Sequence, residues 1–311
     1  MNTSHYNTGK DISELIREFQ QEHDAKPGTL KLYKFLLHKF YYWMQVKGYD
    51  IRSPKEKQLL WWKKELLEND KSPAYINLCL SAVKSYFRWM ETNGYYTAIG
   101  ANVKAVTRDE NFKKIPLLKE DVKKLLNSID DTTITGTRDK ALISLLFANG
   151  LRLGEALGLN ISDMQEDKNL LFIKGKGRFE KELVMVNEGI INRINLYLEQ
   201  RTDDITASSP MFIPHKRGLN LTPDRLTRES ATEVINRRLE AAQLKRPGVT
   251  AHSLRHGAAV ELILSGATLY EVSIFLRHRT LNISRLYTRY SERILMAKKG
   301  PESKLFSLIQ D

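Results

Sequence analysis

Two tyrosines three residues apart, Tyr287 and Tyr290, lie in the stretch LRHRTLNISRLYTRY, which spans residues 276–290 and also holds four arginines and His278. A tyrosine hydroxyl is a weak nucleophile with an ordinary pKa of about 10, and nearby positive charge favours its ionised form. Tyrosines at helical spacing are more often packing residues. The stretch alone therefore allows either a reactive phenol or two packing aromatics near positive charge.

Basic residues also occur at the edges of other predicted elements in the second part of the chain. Arg152 follows Gly150 in NGLRLGEAL, and Glu155 three residues later can hold its guanidinium by a charge-assisted pair. An ordinary surface ion pair is the alternative. Lys176 lies between two glycines in IKGKGRFEK, at the tip of a predicted hairpin, where the backbone can approach another molecule closely.

A third basic cluster, TAHSLRHGA, contains His252, Arg255 and His256. The four-residue step between the two histidines could place both on a zinc ion. However, no glutamate follows the first histidine, so the HExxH pattern is absent, and no third ligand is obvious. The sequence also lacks the GxxxxGK[ST] phosphate-binding loop. We therefore expect neither a metal site nor a cofactor.

Taken in order along the chain, these residues resemble the signature of the tyrosine recombinase (phage integrase) family. NGLRLGEALGL resembles the first-arginine box of the family and HSLRHGAAVELILSGATLYEVSIFLRH its second box. The nine-residue step from His278 to Tyr287 is the family's spacing to its nucleophile. Two positions depart from the pattern: Arg277 stands where the family usually has glycine, and Gly257 where it commonly has threonine. The resemblance covers residues 10–295, approximately.

The resemblance implies a role for each matched residue. Tyr287 would attack a DNA phosphodiester to form a 3′-phosphotyrosyl link, and Tyr290, twelve residues from His278, is the rival nucleophile. Arg152, Arg255 and His278 would bind the phosphate oxygens, because guanidinium forks suit an anionic transition state. His252 would assist removal of the phenol proton, and Lys176 would protonate the leaving 5′-oxygen. Glu155 and His256 would support these groups.

The elements that must position these residues divide into a helical part and a mixed part. Residues 11–94 predict four helices, with Ser53-Pro54 and Ser72-Pro73 as starts, Thr29 as an N-cap, and Gly48 and Gly94 at ends. The second part predicts more helices and two short strands around the Gly-Lys-Gly turn. The predicted fold is mainly α with a small antiparallel sheet. The predicted divisions are a helical core-binding domain at 1–107, a linker at 108–116 and a catalytic domain at 117–311.

Composition is consistent with a DNA-binding protein. The 311 residues carry a formal net charge of +12, which favours a polyanionic partner. The single cysteine, Cys79, lies in an apolar periodic stretch and is predicted to be buried. One cysteine cannot form an intrachain disulfide, and no stretch approaches ~18 consecutive apolar residues. These features predict a cytoplasmic protein without a membrane span.

The resemblance further implies a site-specific recombinase of the two-domain, Xer-like type. Four protomers on paired sites in double-stranded DNA would exchange strands through a Holliday junction, without cofactor or metal. The apolar C-terminal segment, with Leu305, Phe306, Leu308 and Ile309, would dock in trans onto a neighbouring protomer. Three alternatives remain: a type IB topoisomerase-like nicking-closing enzyme, a DNA-binding regulator without catalysis, and a metal-dependent nuclease, which the lack of a carboxylate cluster disfavours.

Overall fold

The computed structural model of the chain describes residues 9–107, 115–175, 180–215, 224–278 and 285–299. The chain divides into two compact units, Met1–Glu110 and Asn111–Asp311. The division falls inside the predicted linker at 108–116. Described helices and a three-stranded antiparallel sheet make the chain mainly α, as the sequence predicts.

The first unit contains the four predicted helices: α1 Ile12–Glu22, α2 Pro27–Val46, α3 Glu56–Glu68 and α4 Pro73–Thr92. Its core is rich in aromatic side chains, with Tyr86 packed edge-on against Phe19 and Phe87. Cys79 is buried there, as predicted. Phe35 and Tyr42 on α2 and Trp61 on α3 are exceptions, because their side chains are exposed.

Three of the predicted helix boundaries can be compared directly with the structure. Ser72 caps α4 by accepting a hydrogen bond from the Tyr75 amide, as its Ser-Pro start predicts. The Ser53-Pro54 start is wrong, because α3 begins at Glu56 and the side chain of Gln58 caps the amide of Lys55 instead. Thr29 is also not an N-cap. Helix α2 begins two residues earlier, at a proline whose fixed φ suits the first helical turn.

The second unit contains eight helices among its described residues, three short strands and two 3₁₀ turns. The helices are α5 Lys119–Asn127, α6 Ile134–Ala148, α7 Leu153–Leu157, α8 Glu188–Glu199, α9 Arg228–Ala241, α10 Ala251–Leu264, α11 Leu269–Phe275 and α12 Arg285–Lys299. Helix α6 is buried on most of its surface and packs against α8 and α10, so it is the central element of this unit. The very short α7 was not predicted.

The sheet contains the predicted hairpin and one further strand. Strand β2, Leu170–Lys174, pairs antiparallel with β3, Lys181–Met185, in the register Leu171↔Val184. Its alternate residues Leu171 and Ile173 are buried against the helices, which fixes which face lies inward. The additional strand β1, Met164–Gln165, has only two residues and pairs with β2.

Gly257 allows the segment that enters the second unit to lie directly on α10. The amide of Leu117 donates a hydrogen bond to the Ser253 carbonyl at 3.0 Å. A Cβ atom on Gly257 would lie 1.7 Å from the Leu117 carbonyl oxygen, so no side chain fits there. The departure from the family's threonine at this position therefore has a steric cause in this chain.

We predict that Gly257→Ala lowers the thermal unfolding midpoint of the protein. Overpacking against backbone costs about 1–3 kcal/mol of stability. In a unit of this size each kcal/mol lowers the midpoint by roughly 2–4 °C. Gly154→Ala is the matched control, because nothing lies within 4 Å of a Cβ on that helical glycine. An equal or higher midpoint for Gly257→Ala than for Gly154→Ala would contradict the prediction.

Candidate active site

Three segments of the second unit meet at one buried carboxylate. The turn after α6 contributes Arg152, which is the N-cap of α7. Helix α10 contributes Arg255, and the end of α11 contributes Arg277 and His278. The carboxylate is that of Glu155, which is only 4% exposed although glutamate is seldom buried.

Glu155 contacts all three arginines. One of its oxygens accepts from Arg152 Nη1 at 2.5 Å, and the other lies 3.3 Å from Arg277 Nη2 and 3.9 Å from Arg255 Nη1. The second oxygen also accepts the Arg152 amide at 2.9 Å. Burial by itself would raise the pKa of Glu155, but the hydrogen bonds from Arg152 and the charge of Arg277 hold it below its ordinary value. The carboxylate is therefore ionised and orients the cations around it.

Arg255 connects the other two segments. Its guanidinium donates to the carbonyl of Gly150 and, at 2.5 Å, to the carbonyl of Leu276. Burial lowers the pKa of Arg255 to about 10, with a further contribution from the charge of Arg152, so it remains a cation at neutral pH. A guanidinium has five N–H donors, so donors remain that can bind an anion.

Tyr287 lies in the first turn of α12 and is 2% exposed. Its hydroxyl oxygen is 2.8 Å from His256 Nδ1, and its ring stacks on His278 with the centroids 6.1 Å apart. Burial raises the pKa of Tyr287 to about 12, although Arg255 and Arg152 act in the opposite direction. The expectation that nearby arginines favour the phenolate is right about their sign but wrong about the net effect, because desolvation is larger.

His278 follows α11 and is held by a main-chain hydrogen bond from its amide to the Ser273 carbonyl at 3.0 Å. Burial lowers the pKa of His278 to about 4, assisted by the charges of Arg255, Arg152 and Arg277. The imidazole is therefore neutral near pH 7, and one ring nitrogen can still donate a hydrogen bond to an anion.

The remaining predicted site residues are His252, Lys176 and Tyr290. His252 lies in the first turn of α10, and its ring centroid is 6.3 Å from that of His256. Lys176 lies outside the described residues, between strands β2 and β3. Tyr290 packs, half-buried, against the apolar cluster that includes Tyr287.

Two contacts were not foreseen from the sequence. His256 was expected to support the site, yet its ring directly contacts the Tyr287 hydroxyl. Arg277 stands where the family usually has glycine, and in the structure it contacts Glu155. The signal was available in the second case, because an arginine that replaces glycine beside predicted phosphate-binding residues adds a cation to the site.

The arrangement concentrates positive charge beside a phenol in a site that holds one buried carboxylate. Three arginines surround Glu155, and two of them influence the pKa of Tyr287. Such a site can bind a dianionic or anionic group and present it to the phenol oxygen. Among the described residues, no group of three or more His, Cys, Asp or Glu side chains could hold a metal ion. Within those same ranges, no helix has the length and apolar character needed to cross a bilayer.

Comparison with known proteins gives consistent matches over most of the chain. The model of the "Phage integrase family" matches residues 116–293. Tyrosine recombinase XerC of Oceanobacillus iheyensis is 28% identical over 286 residues, covering 90% of this chain and 92% of the relative. Tyrosine recombinase XerA of Pyrococcus furiosus is 27% identical over 289 residues, covering 91% and 92%.

Two solved structures share the fold. One is XerH site-specific recombinase bound to a palindromic difH substrate in a post-cleavage complex, with a TM-score of 0.71, 20% identity, and coverage of 96% of this chain and 90% of that chain. The other is a lambda integrase dimer bound to a COC′ core site, with a TM-score of 0.66, 15% identity, and coverage of 89% and 76%. At these identities the likeness concerns the fold.

We predict that stability falls as the pH is lowered from 7 to 5, partly because of two histidines buried in the neutral form. The pKa values of His278 and His215 are both lowered to about 4, first by burial, against about 6.5 in an unfolded chain. Between pH 4 and pH 6.5 the unfolded chain binds more protons than the folded protein. The free energy of unfolding therefore rises with pH in this range and falls when the pH is lowered.

The measurement is the thermal unfolding midpoint at pH 7 and pH 5. His215→Gln should reduce the drop between the two pH values, because glutamine does not titrate; the His215 ring contacts the Tyr197 hydroxyl at 3.1 Å. A drop of the same size in wild type and variant would show that His215 does not contribute.

Proposed function

Since this chain belongs to the phage integrase family, it is a tyrosine recombinase that cleaves and rejoins DNA, and we propose that Tyr287 is the residue that becomes linked to the DNA. Its function is site-specific recombination of double-stranded DNA. The observation that carries the assignment of Tyr287 is its position: its ring stacks on His278, and Arg152 and Arg255, which contact the Glu155 carboxylate, lower its pKa against the effect of burial.

In the proposed reaction, the Tyr287 oxygen attacks the scissile phosphorus and the bond from phosphorus to the 5′-oxygen breaks. The products are a 3′-phosphotyrosyl link and a 5′-hydroxyl. The covalent intermediate retains the phosphodiester energy, so a 5′-hydroxyl from a partner strand can reverse the step and join the strands. Arg152 and Arg255 bind the non-bridging oxygens, where negative charge builds up in the transition state. Neutral His278 donates a further hydrogen bond there.

Two protons must move in this step. The phenol proton must leave Tyr287, because the raised pKa keeps it protonated at neutral pH. His256 Nδ1, at 2.8 Å from the phenol oxygen, can accept it when that nitrogen is unprotonated, and His252 stands four residues earlier on the same helix. The leaving 5′-oxygen needs a proton, which we assign to Lys176 at the hairpin between β2 and β3.

We further propose that four protomers assemble on two DNA sites and exchange strands pairwise through a Holliday junction, in the cytoplasm. Integration or excision of a mobile element and resolution of dimers are both served by this chemistry. In this assembly the C-terminal segment would dock in trans. A groove between β3 and α11 supports this, because Leu183, Met185, Tyr270 and Ile274 expose more than half of their surface around it. The four apolar residues of the tail, Leu305, Phe306, Leu308 and Ile309, are suited to this exposed apolar surface.

We predict that Tyr287→Phe keeps DNA binding and abolishes covalent attachment, because the variant lacks only the attacking oxygen. The substrate would be a duplex selected from a random pool by binding, with a nick beside the scissile phosphate so that the released strand end is lost. Protein attached to DNA 3′-ends in EDTA is measured after denaturation. The control is Tyr290→Phe, which should still form the adduct.

The outcomes of this experiment separate the rival functions. An adduct that forms with Tyr287→Phe but not with Tyr290→Phe would contradict the nucleophile assignment. Failure of the wild type to form any adduct would favour a DNA-binding regulator. Relaxation of plasmid without exchange between two sites would favour a topoisomerase-like enzyme.

We predict that deleting residues 302–311 leaves single-site DNA binding nearly unchanged and weakens the two-site complex. Met185→Glu should have the same effect, because it would place a charge in the proposed acceptor groove, where Met185 is 68% exposed. Leu196→Glu is the matched control, since Leu196 is an exposed apolar residue on α8. Gel-shift titration separates the two complexes. Normal two-site assembly by the truncated protein would contradict docking in trans.

A further inference from the structure

Helix α11 ends in a turn that ordinarily contains glycine. The amide of His278 bonds to the carbonyl of Ser273 at 3.0 Å, and the amide of Arg277 bonds to that of Ile274 at 2.8 Å. This pair of hydrogen bonds defines a Schellman motif, whose left-handed position is Arg277 with φ +52°. Left-handed backbone is unfavourable for a residue with a Cβ, so glycine is preferred there.

The other helix ends of this kind show that Arg277 is unusual in its surroundings. Helices α2, α4 and α10 end in the same motif with glycine at positive φ, at Gly48, Gly94 and Gly266. Helices α3 and α9 end in it with Asp70, at φ +53°, and Gln243, at φ +55°, and both of these residues are exposed. By contrast, the Arg277 side chain is only 11% exposed. Arg277 therefore combines a strained left-handed backbone with a nearly buried cationic side chain.

The guanidinium of Arg277 joins the end of α11 to the turn that contains Arg152. Nη1 donates to the Phe275 carbonyl at 2.9 Å within its own segment. Nη2 lies 3.2 Å from the Gly150 carbonyl and 3.3 Å from the Glu155 carboxylate. One side chain thus contacts both the main chain that precedes Arg152 and the carboxylate that orients it.

The two segments also touch directly. Gly150 has φ +54°, and a Cβ there would lie 2.6 Å from Cε1 of Phe275 and 2.9 Å from Cδ2 of Leu276. Arg255 spans the same junction, donating to the carbonyls of Gly150 and Leu276. The relative position of these two segments therefore sets where Arg152, Arg255 and His278 stand with respect to one another.

We infer that Arg277 is a positioning residue, which holds the Arg152 turn against the His278 segment through the Gly150 carbonyl and the Glu155 carboxylate. Glycine would fit the left-handed backbone better, but it could not make the contacts with which the Arg277 side chain places the phosphate-binding groups. This inference rests on the proposed function for its catalytic consequence, while the contact itself can be tested without catalysis.

The first test compares two substitutions at equivalent backbone positions. Gln243→Gly removes left-handed strain and little else, so it should raise the thermal unfolding midpoint by roughly 2–4 °C. Arg277→Gly removes the same strain but also the contacts to Gly150 and Glu155, so its midpoint should lie below that of Gln243→Gly. An equal rise in both variants would overturn the inference, because it would show that the Arg277 contacts contribute nothing.

The second test measures the reaction. On the selected, nicked duplex, Arg277→Gly should slow single-turnover adduct formation by roughly 10-fold or more, which is the loss expected for hydrogen bonds to a charged group, with less than about a 3-fold change in DNA affinity. In an Arg152→Ala background the same substitution should slow the reaction by less than about 3-fold, because Arg277 acts through Arg152 and Glu155.

The outcomes separate this inference from the proposed function. Wild-type rates for Arg277→Gly, or an undiminished loss in the Arg152→Ala background, would overturn the positioning role while leaving the function intact. Arg277→Lys keeps the charge but not the fork, so a full recovery of rate would show that charge alone suffices and would also overturn it. Absence of an adduct from the wild type would contradict the proposed function, and the unfolding comparison would still decide whether Arg277 holds the two segments together.

Discussion

The buried carboxylate of Glu155 is the interaction on which the candidate active site depends. Three guanidiniums within 4 Å of its oxygens would repel one another without it. The carboxylate can be buried because its charge is paired and hydrogen-bonded. Removing one member of such a set would leave an uncompensated buried charge. The carboxylate therefore sets the geometry of the cations, while their remaining N–H donors stay available for an anion.

The fold supports this arrangement by bringing distant segments to one end of helix α6. That helix is central to the second unit, and the turn beyond it contains Gly150 and Arg152. Helix α10 crosses close to the entering segment at Gly257, where no side chain can be tolerated. The glycines at 150 and 257 thus have the same physical function, which is to allow backbone to approach within contact distance of another segment.

Much of the fold and of the candidate site could be predicted from the sequence, because helix-start and turn residues mark the elements and the motif spacing marks the site residues. The Ser72-Pro73 start of α4 and the hairpin around Lys176 both follow from local chemistry. The Ser53-Pro54 start failed because the side chain of Gln58 provides a competing cap two residues later. Strand β1 and helix α7 are too short for a periodic pattern. Motif order grouped Arg152, Arg255, His278 and Tyr287, but it could not predict that His256 contacts the phenol, since that depends on side-chain direction.

The burial of Tyr287 has a consequence for the conditions under which its oxygen can react. With a pKa of about 12, only about one molecule in 100,000 has an ionised phenol at pH 7, roughly a hundredfold fewer than for an ordinary tyrosine. Attack by this oxygen therefore depends on a base that accepts the phenol proton, and His256 Nδ1 lies 2.8 Å from it. A change that protonates this nitrogen or moves it away would therefore leave the oxygen unreactive even beside a bound phosphate.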